Sequence, residues 1–187
     1  MGVMEKFFLD KSQAVLVVVD VQEKLCMAMD PDVLGRLTKN TGILLEAAKE
    51  LGMPVVATEQ YVKGLGCTVP ELREKFEGTA CEKMTFSCCG DQAFLNRLAE
   101  LGRKQVIITG METHVCVLQT VLELLERGYH VHLVRDAVMS RRKENWFVGL
   151  EASRAAGAVV TSTEAALFQL LRVAGTEEFK KLSKLVR

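Results

Sequence analysis

Histidine is scarce in this chain and net charge is absent: its 187 residues hold three histidines, and 24 lysines and arginines balance 24 aspartates and glutamates. A zero net charge supplies no bulk field to draw the protein to nucleic acid or to an anionic membrane, so the expected partner is a small molecule. No apolar run approaches the length needed to cross a bilayer. The opening stretch MGVMEKFFLDKSQ carries Glu and Asp where a secretory signal would carry its apolar core, and a cytoplasmic location is expected. The six cysteines contain no CxxC pair, and Cys88 and Cys89 are adjacent. That spacing suits neither a disulfide framework nor a zinc site, so reduced thiols are expected. Linkers and low-complexity tracts are missing too, and residues 1–187 read as one domain.

What is present is a repeated phrase. KELGMPVVAT, AELGRKQVIIT, LERGYHVHLV and RAAGAVVT each end a helix-like run in Gly and enter a β-branched run. Glycine takes the left-handed conformation just past a helix, and an apolar run without alternation marks a strand buried on both faces. With AVLVVVD at 14–20 and a short strand near 80–84, this predicts about six strands. Helices are expected near 32–51, 91–101, 115–127, 143–156 and 163–173. The fold class is therefore α/β, a single-domain open and mostly parallel six-stranded sheet with helices on both faces, Rossmann-like in layout. Residues 59–80 form a long, Gly-punctuated loop of the kind that walls a pocket.

Ligands of an open parallel sheet bind outside the carboxyl ends of its strands. The predicted ends are polar: Asp20 after the first strand, Thr58-Glu59-Gln60 on the second, Lys83 on the short strand, GMETHVC after the fourth, Arg135-Asp136 on the fifth and Thr161-Ser162 on the sixth. Asp20, Lys83 and Cys116 can form a chemical unit. A carboxylate can take the thiol proton, and an ammonium nearby favours the charged form of both. Each has a bland alternative. Cys116 could be a packed small residue, Asp20 could cap a helix beginning at VQEKL, and Lys83 could be a solvated surface charge. His130 and His132 read as satisfied core residues, Asp136 as the cap of the segment after it, and residues 140–145 as a solvated helix start. The other cysteines, Cys26, Cys67, Cys81, Cys88 and Cys89, default to packing or surface thiols.

The motifs VVVDVQEKL, TEQYVKGLG, EKMTFS and TGMETHVCVLQT, which occur in that order along nearly the whole chain, together resemble the isochorismatase-like (cysteine) hydrolase family, most of all its isochorismatase domain-containing subgroup. The resemblance implies a catalytic triad of Asp20, Lys83 and Cys116. It also implies a cis peptide at Met111–Glu112 and an oxyanion site made by the N–H groups of Glu112 and Cys116. Relatives of the nicotinamidase branch carry an Asp and several His after the second strand to hold a metal. This chain has no His there, and with His114, His130 and His132 as its only histidines, no metal and no cofactor are expected. The isochorismate-hydrolysing branch commonly replaces the nucleophilic Cys, which is retained here as Cys116.

The implied reaction is acyl transfer from a small amide-like substrate through a Cys116 thioester, with Glu59, Gln60, Tyr61 and His114 lining the substrate pocket. Cys116 would then alkylate ahead of the other thiols near neutral pH. The alternatives are metal-free hydrolysis of a vinyl ether, with Asp20 as acid, and a catalytically silent binding protein on the same fold. Relatives in the resembled family are commonly oligomeric. Phe179, Leu182, Leu185 and Val186 form an apolar stripe near the end of the chain, so a homo-oligomer is expected in which residues 176–187 help bury the contact.

Overall fold

The first strand explains why its apolar run does not alternate. Ala14, Leu16 and Val18 face one helical layer, while Val15, Val17 and Val19 face the other. The pleat sends successive side chains to opposite faces, and both faces are covered. The structure, a computed structural model, describes residues 2–187. Its six strands are β1 (Ala14–Val19), β2 (Val55–Gln60), β3 (Cys81–Lys83), β4 (Gln105–Met111), β5 (His130–Met139) and β6 (Val159–Thr161). They pair in the order β3-β2-β1-β4-β5-β6, and every pairing is parallel.

The helices in chain order are α1 (Val3–Phe7), α2 (Glu23–Cys26), α3 (Pro31–Glu50), α4 (Val62–Leu65), α5 (Pro70–Arg73), α6 (Gln92–Leu101), α7 (Leu118–Glu126), α8 (Lys143–Ala155), α9 (Thr163–Leu171) and α10 (Glu177–Leu182). Leu37, Leu44, Leu45 and Ala48 of α3, with Ala166 and Leu170 of α9, cover one face of the sheet. Phe94 and Leu98 of α6, Val121 and Leu124 of α7 and Leu150 of α8 cover the other. Each such Leu, Val or Phe side chain taken from water contributes about 1.5–3 kcal/mol, which favours a sheet enclosed on both sides.

Two strands run past their expected ends. β4 continues through Gly110 to Met111, and β5 does not stop at Arg135-Asp136 but reaches Met139. The register supplies the reason. Ile108 pairs with Leu133, yet Gly110 pairs with Val138, so β5 bulges between those rungs and then pairs again. Arg135 and Asp136 lie in the bulge, where both are exposed.

The terminal stripe also differs from expectation. Leu182 is fully buried against Ile43, Ala47 and Leu167, Leu185 and Val186 pack around it, and the rings of Phe179 and Phe168 lie 6.2 Å apart. Leu182 of the stripe is thus buried on α3 and α9 of its own chain, while Phe179, Leu185 and Val186 stay partly exposed.

Candidate active site

The chain winds outward from β1 in both directions, which makes the carboxyl ends of β1 and β4 the topological switch point. Asp20 follows β1 directly with φ +49°, a left-handed conformation that costs a non-glycine residue about 1–2 kcal/mol. Its carboxylate does not cap the following helix. Oδ1 accepts from Thr58 Oγ1 at 2.8 Å, and Oδ2 accepts from Lys83 Nζ at 2.7 Å. Lys83 ends β3, and neither its side chain nor that of Asp20 has any exposed surface.

The surroundings of Lys83 are all acceptors. Besides Asp20, the ammonium donates to Gln60 Oε1 at 2.7 Å, to Phe86 O at 3.0 Å and to Thr85 O at 3.2 Å. Gln60 is held in turn: its Nε2 donates to Met84 O, its N–H donates to Gln22 Oε1, and Gln22 Nε2 donates to the carbonyls of Gln60 and Gly66. Sequence reading missed Gln22 and Thr58 as supports. The adjacency of Gln22 to Asp20 in VVVDVQ was the available signal.

Cys116 sits in a π-helical turn, Thr113–Val117, that leads into α7. Two glycines let this turn come close. A Cβ on Gly110, which has φ +115°, would lie 2.0 Å from the carbonyl oxygen of Val19 on β1, and a Cβ on Gly149 of α8 would lie 2.6 Å from the carbonyl oxygen of Thr113. The peptide bond between Met111 and Glu112 is cis. The Cys116 thiol is 6% exposed, and its pKa is pushed up from 9.0 to about 12, first by burial and then by the negative charge of Asp20, against a smaller opposing pull from Lys83. The carboxylate is near enough to act on the thiol, through its charge and through a side-chain hydrogen bond that favours the protonated thiol. The direction of this shift runs against the expectation of a thiol already activated near neutral pH. Burial outweighs the lysine, whose charge is spent on Asp20.

A second thiol belongs to the same neighbourhood. Cys88 Sγ lies 3.6 Å from Thr58 Oγ1, and its backbone N–H donates to Thr120 Oγ1, which donates to the carbonyl of Cys116. Burial and the Asp20 charge push the Cys88 thiol up to about 12 as well.

The flanking candidates have other partners. His114 Nδ1 lies 3.0 Å from Ser140 Oγ, and its Nε2 lies 3.3 Å from Asn145 Nδ2. Both ring nitrogens are thus engaged by Ser140 and Asn145 rather than by Cys116. The Glu112 carboxylate accepts from Arg141 N at 2.9 Å and from Arg141 Nε at 3.1 Å. Glu59 Oε1 accepts from both Thr68 N and Thr68 Oγ1 at 2.7 Å, which ties the long loop to β2. Tyr61 has φ +40° and is 45% exposed. Among the described residues no three His, Cys, Asp or Glu side chains converge as a metal-ligand set.

Further readings are corrected away from the site. Asp136 accepts from Thr163 N and Thr163 Oγ1, capping α9 across the sheet rather than the segment after itself. His130 Nδ1 meets the carbonyl of Glu5 at 3.0 Å, but His132 is fully buried with no partner on either ring nitrogen, and burial lowers its pKa from 6.5 to about 4.

Residues 14–165 match the isochorismatase domain. The chain is 42% identical over 179 residues to a secreted isochorismatase effector, Isc1, of Phytophthora sojae, covering 93% of this chain and 84% of the relative. It is 35% identical over 184 residues to isochorismatase domain-containing protein 2 of Xenopus laevis, covering 95% and 85%. Among solved structures, the MAR1 ribonuclease of Caenorhabditis elegans superposes with a TM-score of 0.88 at 35% identity, covering 96% of this chain and 92% of that one. The YcaC gene product of Escherichia coli, described as an octameric hydrolase of unknown specificity, superposes with a TM-score of 0.87 at 25% identity, covering 95% and 90%.

Proposed function

This chain belongs to the isochorismatase family of hydrolases, and from that premise we propose that it hydrolyses a small amide-like substrate through a Cys116 thioester without a metal. The observation that carries this reading is the Asp20 carboxylate, clamped by Lys83 and Thr58, whose charge acts on the Cys116 thiol. A thiol with a pKa of about 12 is neutral at rest. It becomes a nucleophile only as Asp20 takes its proton during attack, which is general base catalysis.

In this scheme the sulfur bonds to the carbonyl carbon while Asp20 receives the thiol proton. The N–H groups of Glu112 and Cys116 hold the oxyanion. Asp20 returns the proton to the departing nitrogen as the C–N bond breaks, then takes one from the water that attacks the thioester, and the thiol is restored. Lys83 keeps its ammonium against Asp20 throughout. Tyr61 and His114 meet the substrate, while Glu59 and Gln60 fix the wall behind them.

A second reading is favoured by the same neutral thiol: vinyl ether hydrolysis with Asp20 as acid and no covalent step. Intact-mass spectrometry after incubation with small amides, esters, a vinyl ether and a labelled RNA oligonucleotide separates these readings. RNA is included because a relative at 35% identity carries the name ribonuclease. An acyl adduct that disappears in Cys116→Ser supports the thioester route. Turnover that survives Cys116→Ser supports the ether route, and RNA cleavage would replace both.

We further propose a homo-oligomer and a cytosolic location. The octameric relative and the exposed Phe147, Val148, Met84 and Phe86 support assembly, with the contact on these residues rather than on the terminal helix. Six free cysteines suit a reducing compartment. No helix is long and apolar enough to cross a membrane.

A further inference from the structure

A cleft of about 660 Å³ opens at the carboxyl end of β5, between α3 and α8, and none of Asp20, Lys83 and Cys116 lines it. Its floor is apolar, made of Leu37, Val138 and Met139, all buried. Its rim is cationic, with Arg36, Arg135, Arg141 and Lys143. Arg141 is already partnered by Glu112, but Arg36, Arg135 and Lys143 make no ion pair among the described residues.

The lining also holds two carboxylates, each set on a helix start at the cleft: Asp30 accepts from Val33 N at the start of α3, and Asp136 accepts from Thr163 N at the start of α9, so they offset part of the cationic rim. Three helices of 20, 13 and 9 residues begin at this cleft, with Asp30, Arg142 and Ser162 at their starts, and α8 has no side-chain cap. The uncapped start of α8 adds its partial positive charge to the rim, whereas the starts of α3 and α9 are met by the Asp30 and Asp136 carboxylates. The indole of Trp146 completes the wall, with the Arg135 guanidinium 5.9 Å from its ring.

An apolar floor beneath a cationic rim selects for one kind of ligand. We propose that this cleft is a second binding site, adjoining the catalytic end through Ser140 and Arg141 but not lined by Asp20, Lys83 or Cys116, for a small amphiphilic anion: an apolar body of aromatic size carrying one carboxylate or phosphate. The apolar body lies against Val33 and Trp146, which are only partly buried, above Leu37 and Met139, and the anionic group meets Arg36 and Lys143. The bulge in β5 makes the site, since it turns Arg135 and Asp136 out of the ladder where a regular strand between two covered faces would have buried both.

Trp146 is the sole tryptophan of the chain, so its fluorescence reports on this cleft. The full chain is titrated with benzoate, phenyl phosphate, inorganic phosphate and benzyl alcohol, read by Trp146 emission and independently by calorimetry. Benzoate and phenyl phosphate are expected to saturate the site. Inorganic phosphate, lacking the apolar body, and benzyl alcohol, lacking the charge, should each bind at least about tenfold more weakly. Arg36→Glu with Lys143→Glu should weaken both aromatic anions by at least about tenfold, while Cys116→Ala leaves their binding intact. The tighter of the two anions identifies the natural head group as carboxylate or phosphate. Absence of saturable binding in both readouts, inorganic phosphate binding as tightly as phenyl phosphate, or affinity unchanged by the charge reversals overturns the proposal. Binding lost in Cys116→Ala would place the ligand at the catalytic centre and overturn it equally. None of these results depends on whether amides are hydrolysed.

Discussion

Lys83 Nζ stands 2.7 Å from Asp20 Oδ2 with both side chains wholly enclosed. Two opposite charges taken out of water support each other, and removing either strands the other. Lys83→Met and Asp20→Asn should therefore each cost about 3–5 kcal/mol of stability, while the double substitution costs clearly less than the sum of the two. Urea unfolding of the four proteins forms the cycle. Strict additivity would show that the pair is not coupled. Asp20→Asn should also lower turnover by about 10²–10⁴-fold, the usual loss with a general base.

Alkylation by iodoacetamide should reach exposed Cys67 first, and Cys116 only slowly near neutral pH. The Cys116 thiol has its pKa raised to about 12, so its thiolate fraction, and with it the alkylation rate, should climb throughout the alkaline range up to that value. Asp20→Asn removes a charge that raises this pKa and should speed labelling of Cys116 at fixed pH. Peptide mapping after timed labelling gives the rates. A Cys116 rate that levels off near pH 8 to 9, about the value for an unburied thiol, would refute the assignment.

Gly149→Ala should harm the site from outside it. The added methyl would press on the Thr113 carbonyl, and α8 and the Cys116 turn would have to part by a few tenths of an ångström or more. The expected cost is about 1–3 kcal/mol in stability and about tenfold or more in turnover. The turnover loss should appear in kcat, because the Cys116 turn moves while Tyr61, after β2, can still meet substrate. A loss confined to KM would place the disturbance elsewhere.

His132 makes an acid-side prediction. Its folded pKa, about 4, lies below the ordinary 6.5, so the unfolded chain takes up the proton first as pH falls. The stability tied to neutral His132 is present above 6.5 and lost as pH drops towards about 4. His132→Leu should flatten the decline of the urea midpoint across that window, since the buried imidazole has no partner to lose. Equal slopes in the two proteins would show that His132 is not the titrating group.

The sheet was legible because its strands are apolar on both faces, and AVLVVV has no other plausible burial. Helix limits held within a few residues where Gly ended the run, as at Gly102 after α6. The extension of β5 was illegible, because Arg135-Asp136 reads as a strand end and only the paired register of Gly110 with Val138 shows that the ladder resumes. Asp20, Lys83 and Cys116 could be nominated from motifs. The carbonyls of Thr85 and Phe86 around Lys83 could not, since backbone acceptors leave no trace in side-chain identity. The terminal stripe shows the same limit. Its spacing announces that something is covered, and only the positions of Ile43 and Leu167 say what.

The sealed ammonium of Lys83 has one more consequence. An amine-directed reagent such as acetic anhydride cannot reach a nitrogen whose side chain has no exposed surface while the carboxyl edge of the sheet stays closed. Acetylation of Lys83 would therefore record only the moments when that edge parts, and its rate would act as a clock for breathing at the catalytic end of the molecule. A substrate or inhibitor seated over Asp20 and Cys116 would slow that clock, giving a way to find ligands for this site before any reaction product is known.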